Sequence, residues 1–284
     1  MNQFTKFTLL LLLSLSLFSC NQKKEAQKVK VEKRKTVEMV TNYGTIVLEL
    51  YNETPLHRDN FINLTANKAY DSLLFHRVIH NFMIQGGDPD SKKAQAIDTL
   101  GEGDVPYKIA AEFRPNLFHK KGVLAAARDG NPERASSGIQ FYIVQGKVYN
   151  DSLLDNAEKR INTWLAEHDI ANDPSNKYLL DSLQSAMAKN NRIVYSNYSD
   201  SISTWAKTNK NFHHYSIPEN HREIYKTVGG TPHLDQNYTV FGEVVKGLAI
   251  VDSIAKVETN DLDRPITDVR IQTIRVIDNN DIEK

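Results

Sequence analysis

Hydrophobic and polar residues alternate through the first half of this chain. From residue 36 to residue 51, apolar side chains recur at every second position on both sides of Asn42-Tyr43-Gly44, a pattern typical of a β-hairpin. Thr54 and Pro55 follow, and these residue types begin helices, Thr as the cap and Pro in the first turn. We therefore predict a helix that runs to about residue 68.

Further runs of β-forming residues are separated by loops rich in Gly, Pro and polar residues. In the segment 82–85, the period of two predicts that Phe82 and Ile84 share one face of a strand while Met83 and Gln85 share the other. Other strands are predicted at residues 75–79, 107–113, 122–128, 139–145, 238–245 and 269–277, and a second helix at residues 248–256.

Residues 147–228 interrupt the β pattern with apolar residues at helical spacing. Helices are predicted to begin at Asp151 and at Asp173-Pro174, with a third around Ile202 and a short fourth after Pro218. The residues predicted to face inward include Leu153, Met187 and Val228. These apolar faces most simply pack on one another or on the sheet, and a groove for a partner protein is the alternative.

The N-terminal region has the features of a targeting segment. Lys6 precedes an apolar run at residues 9–18 that is too short to span a bilayer. The run ends in Leu17-Phe18-Ser19-Cys20, which resembles the lipobox of bacterial lipoproteins, where the Cys is lipidated. We therefore predict a signal peptide at residues 1–20 and a polar, Lys-rich linker at residues 21–35. An ordinary cleaved signal peptide is the alternative.

Composition narrows the classes of function. The 284 residues include 35 Lys and Arg and 35 Asp and Glu, so the formal net charge is zero, which argues against a nucleic-acid partner. Cys20 is the single cysteine, so the chain forms no internal disulfide. No HExxH motif is present, and the nine histidines do not form a metal-binding pattern. We expect neither a metal nor a cofactor.

The most informative stretch is residues 75–88, FHRVIHNFMIQGGD. Taken alone, it predicts two half-buried strands with an exposed Arg77. The string resembles the central signature of the cyclophilins, a family of peptidyl-prolyl cis-trans isomerases. Two more segments, GVLAAARDGNPERASSGIQFYI and GGTPHLDQNYTVFGEV, resemble other parts of that family. The resemblance covers residues 36–146 and 229–277, and it leaves 147–228 as a helical insertion foreign to the minimal family.

The resemblance implies a mainly β fold, a closed eight-stranded antiparallel barrel capped by two helices, over residues 36–278. It implies isomerisation of the bond that precedes proline in polypeptide substrates, with Arg77 and Gln85 as catalytic residues. The substrate-binding residues that it implies are Phe82, Met83, Ala127, Arg128, Gln140, Tyr142, His233, Leu234 and Tyr238. With the lipobox, it predicts a monomer anchored by lipid on Cys20 at the bacterial cell envelope and acting on extracytoplasmic chains.

Several positions depart from the family pattern. Tyr142 and Arg128 stand where the family usually has Phe and Asn, and Tyr238 stands where it has His. His233 replaces the Trp that is tied to cyclosporin affinity in the family, so we expect weak inhibition by cyclosporin. Two other functions remain open: a non-catalytic module that binds proline-containing segments, and a chaperone that binds unfolded clients through the helices of residues 147–228.

Overall fold

The predicted hairpin forms, and it begins the part of the chain that the computed structural model describes, residues 33–278. Strand β1 is Lys35–Thr41 and strand β2 is Gly44–Leu50, paired antiparallel without a register shift. Gly44 has φ 131°, and a Cβ there would lie 2.8 Å from Cδ1 of Ile250, so the turn requires glycine. The predicted signal peptide, Cys20 and most of the predicted linker lie outside the described residues.

Within residues 33–278, eight strands form one sheet in which neighbouring strands are antiparallel. Its order is β10-β1-β2-β9-β6-β8-β4-β3. The further strands of this sheet are β3 Phe75–Ile79, β4 Met83–Gly86, β6 Val123–Ala126, β8 Phe141–Val144, β9 Val240–Lys246 and β10 Ile271–Ile277. Strands β5 Lys108–Ile109 and β7 Ser136–Ser137 pair separately. The predicted strand at residues 107–113 is therefore mostly loop.

The prediction of a closed barrel is wrong. Strands β3 and β10 are the two edges of the sheet, so the sheet forms a half-barrel. An isolated bridge between Leu74 and Arg270 joins the two edges. Beyond this bridge, the residues opposite β3 are 263–269, which precede β10 in the chain. In that segment Asp263 has φ 61° and Pro265 has no N–H, so it cannot continue the ladder. The segment covers the edge of β3 as a loop.

Two helices pack against the concave side of the sheet, α1 Pro55–Ala66 and α6 Leu248–Ile254. Thr54 precedes α1 as predicted, but its hydroxyl makes no capping bond. The carboxylate of Glu112 accepts hydrogen bonds from the backbone N–H groups of Leu56 and His57 instead, at 3.2 and 3.0 Å. The acidic group that favours the helix N-terminus therefore comes from 55 residues away in the chain.

The core between sheet and helices is apolar and fully buried. Phe61 of α1 lies between the rings of Tyr70, Phe141 and Phe241, with ring centroids 4.8 to 5.6 Å apart. Aromatic packing of this kind stabilises beyond the area that it buries. Met39, Ile46, Leu48, Leu124 and Ile143 complete the core from five positions of the sheet. The opposite, convex face of β4, β6 and β8 is left for a second cluster.

Between β8 and β9 the described residues form four α-helices, α2 Asp151–Ala171, α3 Lys177–Ala188, α4 Arg192–Thr208 and α5 Glu219–Thr227, and a short 3-10 helix, Pro232–Leu234. The first half of α2 packs on α5 through Ile161 and Tyr225, and its second half packs on α3 and α4 through Ile170 and Ile202. Leu153, Met187 and Val228 are exposed, so the prediction that they face inward is wrong. In the described residues, no helix is both long and apolar enough to cross a membrane.

Candidate active site

Strands β3 and β4 bring Arg77 and Gln85 opposite each other. Their antiparallel register pairs Arg77 with Gln85 and Ile79 with Met83, so these side chains project from one face of the sheet. The turn between the strands contains Asn81 at φ 63°, and its backbone N–H donates to Oε1 of Gln145 at 2.6 Å. The turn thus fixes which face of the two strands points outward.

The convex face carries a half-open pocket of about 140 Å³, here named the Arg77 pocket. It is lined by Arg77, Phe82, Met83, Gln85, Ala127, Arg128, Tyr142, Leu234 and Tyr238. Nine of the eleven residues predicted for the site therefore meet in one place. Phe82 lies in the turn, not in β4, so the prediction that it shares the face of Ile84 is wrong; Ile84 is in the core.

The floor of the Arg77 pocket is apolar and rigid. Met83, Tyr142 and Leu234 are each at most 5% exposed and belong to one buried cluster. The Tyr142 hydroxyl, which the sequence adds to the pocket, is held by Nε2 of His119 at 2.9 Å. Burial raises the pKa of Tyr142, so the hydroxyl keeps its proton.

His119 is one member of a buried hydrogen-bonded chain. Its Nδ1 lies 2.8 Å from Oδ1 of Asp235, and the hydroxyl of Tyr225 donates to Oδ2 of the same carboxylate at 2.8 Å. Burial, with the Asp235 charge, raises the pKa of Tyr225. The chain of contacts runs from α5 through Asp235 and His119 to Tyr142 in the pocket floor.

Arg77 is held loosely at the rim of the pocket. Its side chain is 44% exposed, and among residues 33–278 its one hydrogen bond is from Nε to Oδ2 of Asp263 at 3.4 Å. Asp263 is similarly exposed, and such pairs contribute little to stability. The guanidinium therefore keeps N–H groups that can donate to a bound molecule.

Gln85 is oriented by Gln140. The Gln140 amide nitrogen donates to the carbonyl oxygens of Gly101 and Gly103 at 2.9 and 2.7 Å, so its Oε1 faces Gln85 and accepts from Nε2 there at 3.0 Å. This leaves Oε1 of Gln85 as an acceptor beside the pocket. Gln140 itself is buried and does not line the pocket.

The other predicted residues surround this centre. His233 stacks on Phe82 with ring centroids 5.6 Å apart but does not line the pocket. Burial, with the charge of Arg160, lowers the pKa of His233 to about 4, so the ring is neutral at pH 7. The Arg128 guanidinium lies 5.1 Å above the ring of Tyr238 and is attracted to its face.

Ala127 contributes to the site through its backbone. Its N–H donates to the carbonyl of Gln140 at 3.0 Å, and its carbonyl accepts from the N–H of Ser137 at 2.8 Å. These bonds tie the pocket wall to β7 and to the residue that precedes β8. Across the described residues, 33–278, no three His, Cys, Asp or Glu side chains are arranged to hold a metal ion.

The sequence model of one family, described as "Cyclophilin type peptidyl-prolyl cis-trans isomerase/CLD", matches residues 36–167 and 184–276. The chain belongs to the cyclophilin family. Between residues 36 and 276 the match leaves out only residues 168–183, so the family pattern extends into α2 and resumes in α3. That all of residues 147–228 is foreign to the minimal family stays a prediction.

Three curated relatives of the chain come from bacteria. A Staphylococcus aureus protein named "Putative peptidyl-prolyl cis-trans isomerase" is 30% identical over 254 residues, which are 89% of this chain and 95% of the relative. A protein of the same name from Staphylococcus haemolyticus is 29% identical over 243 residues, with 85% and 91% covered. A Streptococcus pyogenes protein named as a bifunctional phosphatase and isomerase matches over 38% of its length at 30% identity.

A solved structure supports the fold. The Cryptosporidium parvum cyclophilin type peptidyl-prolyl cis-trans isomerase superposes with a TM-score of 0.52 at 19% identity and covers 87% of this chain and 99% of its own. A second structure of that protein, solved in the presence of the dipeptide Ala-Pro, gives a TM-score of 0.51 with 86% and 99% covered, also at 19% identity.

Four residues at the site were missed by the sequence reasoning: His119, Tyr225, Asp235 and Asp263. Asp263 reaches Arg77 across 186 residues of chain, and no local pattern signals such a contact. Asp235 follows Leu234 directly, so the motif contained it, but its partners lie 116 and 10 residues away. The one signal in the sequence was an acidic residue directly after Leu234 in the family-like segment.

Proposed function

We propose that this chain catalyses isomerisation of the peptide bond before proline by stabilising the twisted amide with Arg77. The observation that carries the proposal is the position of Arg77. Its guanidinium stands at the rim of an apolar pocket, opposite Gln85, with N–H groups that no described residue engages. The proline ring would lie on Met83 and Leu234.

The chemistry needs no nucleophile. Rotation about the bond has a barrier of about 18–20 kcal/mol, because it breaks the resonance of the amide. At the twisted geometry the nitrogen regains a lone pair, which an N–H donor beside the pocket can bind although it cannot bind the planar amide in the same way. The planar fork of Arg77 can donate to the nitrogen and to the carbonyl side together, which a Lys cannot do.

Gln85 and the apolar floor have different roles. Oε1 of Gln85, left free by the contact with Gln140, would accept a backbone N–H of the substrate and fix the peptide next to proline. The floor of Met83, Tyr142 and Leu234 would bind the ring in cis and trans forms alike. Such uniform binding lowers KM without raising kcat. We therefore assign the rate enhancement to Arg77.

The test is isomerisation of a short proline peptide by the purified protein beside Arg77→Ala, Arg77→Lys and Arg275→Gln. We expect Arg77→Ala to lower kcat/KM about 100-fold, mostly through kcat, as removal of one transition-state donor does. Arg77→Lys should recover only part of this loss.

The controls separate catalysis from folding. Arg275, in the edge strand β10, pairs with Glu38 of the neighbouring strand β1. Arg275→Gln therefore removes an equal charge away from the pocket and should leave kcat/KM unchanged. Arg77 is exposed, so Arg77→Ala should shift the unfolding free energy by less than about 0.5 kcal/mol. Absence of activity in the parent would favour the non-catalytic binding module.

We further propose that Cys20 is lipidated and holds a monomer at the bacterial cell envelope, where it acts on extracytoplasmic proline-containing chains. The support is the position of the single Cys at the end of the one apolar run that precedes the domain. Labelling with palmitate and fractionation of cells test this, with Cys20→Ser as the variant that should lose the label. Release of unlabelled parent into the soluble fraction would favour an ordinary signal peptide. Light scattering of the protein in detergent measures its mass and so tests whether it is a monomer.

A further inference from the structure

A second and larger cavity adjoins the Arg77 pocket. It has a volume of about 260 Å³, and it shares Arg128 and Tyr238 with the pocket, so the two are neighbours. We name it the Arg134 cavity. One wall is the loop of residues 128–134, and the other is formed by α2 and α3, which contribute Trp164, Glu167 and Leu180. A peptide bound in the Arg77 pocket can therefore extend into it.

Two guanidinium groups line this cavity without a carboxylate partner. Arg128 donates from Nε and Nη1 to the carbonyl oxygens of Asn237 and Asp129, at 2.8 and 2.9 Å. Arg134 donates from Nη1 to the carbonyl of Gln236 at 2.9 Å, and its buried Nε has no hydrogen-bond partner among the described residues. Neutral carbonyl groups do not balance a cation. Arg128 forms no ion pair with the described residues. Arg134 has only the attraction of the Asp169 charge and a contact with the ring of Phe113, whose centroid is 4.8 Å from Cζ.

The two cations give this side of the cavity a positive charge. Burial, and then the charge of Arg128, lower the pKa of Arg134, and the opposing charge of Asp169 does not cancel the shift, so this cation lies in an unfavourable environment. A carboxylate in the cavity would relieve the repulsion between the two guanidinium groups, and Arg binds carboxylates strongly because the hydrogen bonds are charge-assisted. A chain that leaves the Arg77 pocket meets Arg128 first, since Arg128 lines both cavities.

The opposite wall carries the one competing charge of the lining. Burial raises the pKa of Glu167 on α2, and no cation among the described residues pairs with it. His168, also in the lining, has its Nδ1 3.3 Å from Asp169 and is therefore engaged on the same helix. Glu167 would repel a substrate carboxylate, so its removal and the removal of Arg134 should change the specificity in opposite directions.

We propose that the Arg134 cavity is a subsite for an acidic side chain of the substrate, within a few residues of the proline. The proposal rests on the isomerase function proposed above. An extended chain advances about 3.3–3.6 Å per residue, so positions two to four from proline sample roughly 7–14 Å on either side.

The test uses proline peptides with Glu, Gln or Lys at each of these positions, one at a time. Isomerisation gives kcat/KM and fluorescence anisotropy gives Kd. At one position or more, we expect kcat/KM for the Glu peptide to be about fivefold higher than for the Gln peptide and Kd to be about fivefold lower, equivalent to about 1 kcal/mol. The Lys peptide should have the lowest kcat/KM of the three. Added salt should reduce the difference.

Variants assign the preference to the cavity. Arg134→Gln should abolish it and Glu167→Gln should increase it, while Arg192→Gln, an exposed residue at the start of α4, should leave it unchanged. Equal values for Glu and Gln peptides at every position, a preference for Lys, or a Glu preference that neither Arg134→Gln nor Glu167→Gln alters would overturn the proposal. A parent that binds Glu peptides selectively yet isomerises none would refute the proposed function and keep the subsite.

Discussion

We expect Tyr142→Phe to lower the stability of the protein while leaving catalysis almost intact. The substitution keeps the ring against Met83 and removes only the hydroxyl, which contacts Nε2 of His119. A carboxylate only accepts hydrogen bonds, so Nδ1 of His119, beside Asp235, carries the proton, and Nε2 is the acceptor for Tyr142. The variant leaves that acceptor without a partner.

The magnitude follows from burial. His119 is 1% exposed and Tyr142 is 4% exposed, so water does not readily replace the hydroxyl. An unsatisfied buried acceptor costs about 1–3 kcal/mol. For a domain of this size, each kcal/mol lowers the Tm by about 2–4 °C. Because the hydroxyl is engaged with His119, kcat/KM should change less than about threefold.

Urea denaturation followed by circular dichroism measures the first quantity, and the peptide isomerisation assay measures the second. Tyr178→Phe is the matched control, since the Tyr178 side chain is 60% exposed on α3 and its variant should match the parent in both assays. A Tyr142→Phe protein as stable as the parent would refute the hydrogen bond. Full stability with a large loss of kcat/KM would show that the hydroxyl contacts the substrate.

Three further predictions concern single residues. His76 is buried, neither ring nitrogen has a partner among the described residues, and burial lowers its pKa from 6.5 to about 4. The unfolded state therefore binds the proton more readily, and between pH 7 and pH 5 the parent should lose about 2 kcal/mol more stability in urea denaturation than His76→Leu. An equal loss in the two proteins would disprove this. Asp263→Asn should change kcat/KM less than about threefold, because its contact with Arg77 is long and exposed, and a larger change would mean that the pair aims Arg77. Cyclosporin should inhibit the peptide assay only weakly and His233→Trp should strengthen inhibition, so nanomolar inhibition of the parent contradicts the expectation.

The residues of the site could be predicted because local patterns determine them. The period of two in β4 places Gln85 on the face of Met83, and the register with β3 adds Arg77. Phe82 was misplaced because the strand begins one residue later, and strand ends are set by the turn. Sequence reasoning therefore succeeded where one strand or one motif carries the information.

Long-range contacts decided what the sequence could not show. Glu112 lies within the predicted strand at residues 107–113, yet its carboxylate accepts hydrogen bonds from the start of α1, a role that no pattern around it indicates. The edge of β3 is covered by a loop because Asp263 and Pro265 interrupt the ladder, so the sheet does not close. Both outcomes depend on residues that are remote in the chain and adjacent in the fold.

The helical segment is joined to the pocket, and this determines how the chaperone hypothesis should be tested. Deleting residues 147–228 would remove Tyr225 and leave Oδ2 of Asp235 unpaired under the pocket floor, so lost activity would not distinguish the two functions.

Exposed apolar residues of the helices offer a cleaner test. Met187 and Ile193, at the end of α3 and the start of α4, are 62% and 77% exposed and do not line the Arg77 pocket. If unfolded clients bind there, Met187→Lys with Ile193→Lys should weaken suppression of client aggregation while peptide isomerisation is unchanged. Unchanged suppression by the double variant would remove this surface from the chaperone hypothesis, because two Lys side chains would prevent apolar contact at the patch.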